Sequence, residues 1–275
     1  CILVLFTKTA DIGELAGVEN ADRRGDLSPM DEKIYSRMHE VEARHWWFSA
    51  KRRIILHLLR RYLPDVRAGG ALRIADVGCG CGRFLEELSS FCNCSGFDAS
   101  PVAVEFCLKR GLDVKPGSLP DDVPLEKGVF DAVILSDVIE HIDDDKSSVR
   151  AAAGLLKTGG VMVVTVPAVP ALWSPWDVVH GHKRRYTKPA LRKALGSTGL
   201  TVELLSHYST LLFLPAVLGR KVVKRMAGSG STAELAPPPE PINTLLRGIF
   251  ACERYILGRI PLPVGLSLVA VLRKR

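Results

Sequence analysis

The chain has 275 residues, 47% hydrophobic and 24% charged, with a formal net charge of +7. That length and balance fit one soluble α/β domain with a sizeable core, and the charge permits an anionic partner (a phosphorylated substrate, a nucleic acid or a lipid surface) without requiring one. Seven irregularly placed cysteines in a chain this large argue against a disulfide framework and for a reducing, cytoplasmic compartment.

The run Cys1–Phe6 is too short to span a membrane and lacks the layout of a signal peptide. Residues 1–29 are polar and aperiodic and are expected to form a poorly ordered extension, with a single domain over 30–275. From Asp31 to Leu63 the pattern is helical: Ile55, Leu56, Leu58, Leu59 and Leu63 are spaced for a buried face, while Lys51, Arg52, Arg53, Arg60 and Arg61 ride the other side. Pro64 and Gly69–Gly70 close that region.

Strands and helices then alternate. Strands are expected over Ala71–Asp76, Cys94–Asp98, Leu112–Lys115, Phe130–Ser136 and Val161–Val166. Helices are expected over Arg83–Phe91, Pro101–Arg110 with Ser100 as N-cap, and Lys146–Leu156, the last stopped by Lys157-Thr158-Gly159-Gly160. A loop rich in Trp, His and Arg precedes a helix over Lys188–Leu195 and a strand near Leu200–Ser206. The composition of 227–241 reads as a flexible linker within an inserted substrate- or membrane-facing region, 207–262. A helix over Asn243–Leu257 and a strand over Leu266–Arg273 end the chain. This alternation predicts a Rossmann-like, doubly wound α/β fold: a mostly parallel sheet with helices on both faces.

The strongest motif is Asp76-Val-Gly78-Cys-Gly80-Cys-Gly82, placed after a strand and before a helix. Glycines there let the backbone turn sharply and approach a ligand with no Cβ in the way. A dinucleotide site would place its third glycine at position 83, which is Arg83, so an NAD(P)-dependent oxidoreductase is disfavoured. The acid ending the strand favours a ligand with an amino-acid tail over a pyrophosphate. Asp98 ends the second strand, where a carboxylate can take both hydroxyls of a ribose; helix capping falls to the better-placed Ser100.

The pairs Cys79/Cys81 and Cys92/Cys94 invite a zinc reading. The helix between them would hold the pairs roughly 13 Å apart at 1.5 Å rise per residue, whereas the ligands of one zinc lie within about 2.3 Å of it. The run Asp143–Asp145 sits at a helix start, where capping and dipole complementarity explain three carboxylates. No metal is expected.

The segments D-V-G-C-G-C-G, G-F-D-A-S, G-S-L-P, F-D-A-V-I-L-S-D-V-I-E-H-I-D-D-D and L-K-T-G-G-V-M-V-V-T-V-P-A resemble the class I S-adenosyl-L-methionine (SAM)-dependent methyltransferases, in order and spacing, from Trp46 to about Leu212. The resemblance implies a seven-stranded sheet and SAM as cofactor, with S-adenosyl-L-homocysteine as product. It implies that Gly78 and Gly80 approach the methionine moiety and Asp98 the ribose, with Asp76, Cys79 and Ala99 also binding the cofactor. Ser118 and Leu119 would flank the adenine, and Ser136 and Asp137 would close over the cofactor near its amino group.

A narrower resemblance, to bacterial methyltransferases, rests on H-W-W-F-S-A-K-R-R at His45–Arg53 and L-W-S-P-W-D-V-V-H-G-H-K-R-R-Y at Leu172–Tyr186. It makes His182 a candidate general base with Asp177, and Trp173, Arg184, Arg185 and Tyr186 candidate acceptor ligands. A structural ion-pair network anchoring a long loop is the competing explanation. Trp46, Trp47 and Phe48 are either lid aromatics or helix-packing core, and His141, beside Glu140, is either a base or a helix staple.

Asp137-Val-Ile-Glu140 stands where base-amino methyltransferases carry a D/N-P-P-Y/F box, and no Pro-Cys nucleophile is present, which argues against nucleic-acid methylation. The acceptor is expected to be a small molecule, a lipid or a glycan. Residues 208–225, apolar and then basic, either pack as a substrate-domain helix or lie on the inner face of the membrane. A non-catalytic scaffold on the same fold is the remaining alternative.

Overall fold

The computed structural model describes residues 32–63, 72–214, 216–217 and 237–275. The expected extension 1–29 and residues 227–236 of the expected linker lie outside the described residues.

The first helical run is two helices, α1 (Glu32–Val41) and α2 (Trp46–Tyr62). His45 separates them: its backbone is extended, and its Nδ1 accepts the Trp47 N–H at 3.2 Å, capping α2. The predicted apolar stripe of α2 is buried at Ile55, Leu58 and Leu59. Lys51 and Arg52, expected on the outer side, are buried as well. The Arg52 guanidinium donates to the Glu42 carbonyl at 2.8 Å and to Glu87 at 3.1 Å, so the first turns of α2 are covered rather than solvated.

The sheet has seven strands: β1 (Arg73–Val77), β2 (Asn93–Asp98), β3 (Val114–Pro116), β4 (Phe130–Ser136), β5 (Leu156–Pro167), β6 (Thr201–Tyr208) and β7 (Ser267–Arg273), in the order β3-β2-β1-β4-β5-β7-β6. All neighbours pair in parallel except β7, which runs antiparallel between β5 and β6. The expected doubly wound sheet is thus the observed one.

Alternation along each strand sends side chains to opposite faces. On β4, Ala132 and Ile134 join α2 in one core, while Val133 and Leu135 join the helices α5 (Asp145–Gly154) and α7 (Lys188–Leu195) in the other. A strand buried on both faces needs a continuous apolar run, which Ala132–Leu135 supply. The Lys157–Gly160 stretch, expected to lie between elements, instead opens β5. A Cβ on Gly160 would come within 2.9 Å of the Phe130 carbonyl, and the Gly159 N–H bonds the Lys274 carbonyl at 2.8 Å.

Strand order reverses between β1 and β4, which leaves a crevice beyond their carboxyl ends, where open α/β sheets take ligands. The helices α3 (Arg83–Ser89) and α4 (Pro101–Lys109) follow β1 and β2 on this side, and α8 (Glu240–Cys252) packs on α2 through Trp46, Trp47 and Phe250. Those tryptophans are therefore packing residues, not lid aromatics.

Candidate active site

The turn after β1 has left-handed backbone at Gly78 (φ 69°) and Gly80 (φ 55°), a conformation that favours glycine. A Cβ on Gly78 would come within 2.7 Å of Val138, whereas one on Gly80 would meet no atom within 4 Å. The turn is thus closed on the β4 side and open in front of Gly80. Asp98 ties it to β2: one carboxylate oxygen accepts the Gly80 N–H at 2.8 Å and the other the Ser100 N–H at 2.9 Å. Each oxygen keeps a second lone pair for a ligand hydroxyl. Ser100, as expected, caps α4, accepting the Ala103 N–H at 3.3 Å.

Two buried carboxyls meet at this crevice. Burial pushes Asp76 up to about 7, with Lys51 opposing and Asp98 adding to the shift. Burial also raises Asp98, against the hydrogen bonds from the Ser100 and Gly80 amides. An open glycine cradle beside two desolvated carboxyls suits a ligand with ribose hydroxyls at one end and an ammonium at the other. The Cys79 thiol lies 4.0 Å from that of Cys107, so it is the backbone of Cys79 that shapes the turn. Ala99 is exposed beside Asp98, and Ser118, exposed after β3, exchanges backbone hydrogen bonds with Asp122 at 2.8 and 2.9 Å. Leu119 next to it is half-buried.

Beyond β4 the chain turns through Asp137, a non-glycine residue at φ 57°, the kind of strained position that gathers at functional sites. Its carboxylate accepts from Lys51 Nζ at 2.7 Å and from the Thr165 hydroxyl at 2.8 Å. Burial would raise its pKa, but the Lys51 ammonium and these hydrogen bonds outweigh burial and hold it below the usual range. Ser136 stands beside it, half-buried. Lys51 meets this turn although the helical period placed the lysine on the solvent side.

Three residues past Asp137, the Glu140 side chain is fully buried, and neither of its carboxyl oxygens has a hydrogen-bond partner among the described residues. Burial, reinforced by Asp137, raises its pKa well above the ordinary value. Ligand atoms of Glu140, His141 and His182 lie within 4.8 Å of one another. Burial lowers His141 to about 4, so that ring is uncharged. His182 Nδ1 lies 2.9 Å from Asp177 Oδ1. A carboxylate on one ring nitrogen fixes the ring's orientation and leaves the other nitrogen for chemistry.

Asp177 is a hub, not a free acid. Its carboxylate takes Arg185 through both oxygens, at 2.7 and 3.0 Å, and also accepts the Ser174 N–H at 2.9 Å as the capping box of α6 (Pro175–Val179). Arg185 and His182 hold it well below the usual carboxylate range despite its burial. The expected acceptor-binding role is accordingly corrected for two residues. Arg185 faces inward onto Asp177 and the Ala168 carbonyl, and the buried Tyr186 donates to Asp145 at 2.7 Å. Arg184 reaches the Asp143 carbonyl at 3.0 Å and Asp145 at 3.3 Å. Arg184, Arg185 and Tyr186 thus all bond to the protein's own acids and carbonyls. Trp173, 43% exposed, stands at the rim of the same loop. The acidic run serves the same scaffold: Asp144 caps α5 by accepting the Ser147 N–H, and Asp143 pairs with Lys183.

A seven-stranded sheet with one antiparallel member, a glycine turn after β1 and an acid ending β2 define the class I SAM-dependent methyltransferase architecture. The chain belongs to the methyltransferase domain family, whose model matches residues 34–205, and SAM is its cofactor. The ubiquinone biosynthesis O-methyltransferase of Xanthomonas campestris pv. campestris is 29% identical over 167 residues, covering 54% of this chain and 70% of that protein. The fold is shared with a chain in the complex between the Haloferax volcanii Trm112 methyltransferase activator and a methyltransferase (TM-score 0.56, 20% identity, 90% of this chain and 97% of that one). It is shared also with phosphoethanolamine N-methyltransferase 2 of Haemonchus contortus (TM-score 0.50, 16% identity, 78% of this chain). The chain spans about half the length of that protein, 52%.

Proposed function

We propose that this enzyme methylates a hydroxyl oxygen of a small-molecule acceptor, with His182 taking the proton and Asp177 positioning His182. The observation that carries the reading is the Asp177–His182 contact of 2.9 Å at the carboxyl edge of the sheet. SAM, when bound, supplies an electrophilic methyl group on a sulfonium. The residues of the chain have the remaining tasks: Asp98 holds the ribose, Asp76 the amino-acid end, and the Gly78–Gly80 turn gives the ligand room. Ser118 and Leu119 flank the adenine. On the acceptor side His182 removes the hydroxyl proton, with Glu140 and His141 beside it. Closing the site against water strengthens each of these contacts.

A hydroxyl is favoured over an amine because a neutral amine attacks without a base, whereas a phenol or alcohol gains from one. The relative from Xanthomonas, named as an O-methyltransferase, supports the same choice. A phenolic small molecule, or the hydroxyl-bearing head of a lipid or glycan, fits this chemistry.

The test is His182→Ala, assayed with labelled SAM against catechols, simple phenols and a lipid extract. Methyl transfer should fall by roughly 10²–10⁴, the usual contribution of a general base, with affinity for S-adenosyl-L-homocysteine unchanged. Full turnover in the variant would remove His182 from the reaction. A second expectation concerns pH. The Asp76 carboxyl, raised to about 7, must be ionised to attract the ligand ammonium. Affinity for S-adenosyl-L-homocysteine should therefore weaken as pH falls from 8 to 6, and calorimetry on Asp76→Asn should show that dependence flattened.

A further inference from the structure

The molecule has a second feature that catalysis leaves unexplained. Among the described residues, all the exposed large apolar side chains except Leu108 and Trp173 lie in the connection between β6 and β7. Leu214 is 68% exposed, Ile260 64%, Leu211 50% and Ile256 41%. They are not loose ends. The Leu211 N–H bonds the buried Glu253 carboxylate at 2.9 Å, the Thr210 hydroxyl bonds the Val264 carbonyl, and the Leu266 N–H bonds the Ser209 carbonyl. Leu212, Ala216 and Leu257, their neighbours in sequence, point into the core. The backbone is thus fixed with one apolar set turned inward and another outward, and scattered single exposures would not concentrate in this way.

Charge indicates what the outward set meets. The described residues of 209–266 include three bases (Arg247, Arg254 and Arg259) and two acids (Glu240 and Glu253). One of those acids, Glu253, is buried, and Arg259 is exposed beside Ile260. Protruding aliphatic side chains flanked by Arg254 and Arg259 match an anionic lipid surface, where apolar groups enter the acyl boundary and cations meet the headgroups. No helix among the described residues is long and apolar enough to cross a membrane. The patch begins at Leu211, three residues after β6 ends at Tyr208, on the edge of the sheet that carries the active site.

We infer that the β6–β7 connection seats the protein on an anionic membrane surface, with Leu211, Leu214, Ile256 and Ile260 entering the interface. The inference is independent of the nature of the methyl acceptor.

The experiment is co-sedimentation of the full chain with phosphatidylcholine vesicles and with mixed phosphatidylcholine–phosphatidylglycerol vesicles. Binding is expected only to the anionic vesicles and should weaken with added salt. The pair Leu214→Ser/Ile260→Ser should reduce it at least about tenfold, with the circular-dichroism melting curve unchanged. The pair Arg254→Ser/Arg259→Ser should also reduce it, so a folding defect in either variant does not decide the matter alone. Failure to bind, equal binding to neutral vesicles, or unimpaired binding by both variants would overturn the inference. So would a dimer in sedimentation velocity that the leucine–isoleucine variant dissociates, because the patch would then belong to a second copy of the chain.

Discussion

Asp177→Ala should cost about 3–5 kcal/mol of stability, the usual penalty for removing one partner of a buried ion pair. At 2–4 °C per kcal/mol for a protein of this size class, the melting temperature should fall on the order of 10 °C. The reason lies in what depends on that one carboxylate. It is fully buried, it engages Arg185 through both oxygens, it closes the capping box with Ser174, and it holds His182. Without it the Arg185 side chain, 6% exposed, stays inside the protein and loses both contacts to that carboxylate. Catalysis should fall with stability, because His182 loses its orienting contact. Differential scanning calorimetry separates this variant from His182→Ala, which removes the base while sparing the Asp177–Arg185 pair and should melt near the parent temperature.

The second large effect is expected at Asp98. Replacement by Ala removes a carboxylate whose charge-assisted hydrogen bonds are worth about 1.5–3 kcal/mol each. Affinity for S-adenosyl-L-homocysteine should drop by roughly 10- to 150-fold, at 1.4 kcal/mol per factor of ten. The same carboxylate fixes the Gly80 and Ser100 amides, so the β1 turn loosens as well. Both consequences act in one direction on cofactor affinity. A titration calorimeter reads their sum, and undiminished affinity would count against the ribose assignment.

Much of this architecture was legible in the order of residues, and the reason differs from element to element. β4 runs over the expected Phe130–Ser136 because burial on both faces requires a continuous apolar stretch, here Ala132–Leu135. α7 begins and ends as expected because Thr187 supplies a cap and the apolar period ends at Leu195. The glycine turn and Asp98 could be located because backbone conformation and strand position leave a direct mark on sequence.

What escaped was the direction in which polar side chains face. Lys51 has the spacing of a solvent-facing residue, yet the turn after β4 covers it and supplies Asp137 as partner. His45 caps a helix with a ring nitrogen, outside the Ser, Thr, Asp and Asn repertoire. Arg185 and Tyr186 carry chemistry that suits an anionic acceptor, but whether a guanidinium turns out to a ligand or in to Asp177 is decided by tertiary contacts. Glu140 gave no signal at all, since nothing in a sequence marks an acid for complete burial.

The most direct test is a crystal structure with S-adenosyl-L-homocysteine bound. Its ribose hydroxyls should lie within hydrogen-bond distance of the Asp98 carboxylate, and its amino-acid end should rest against the Gly78–Gly80 turn near Asp76. A ligand lodged elsewhere, with Asp98 still touching only the amides of Gly80 and Ser100, would contradict the assignment on which the proposed chemistry depends.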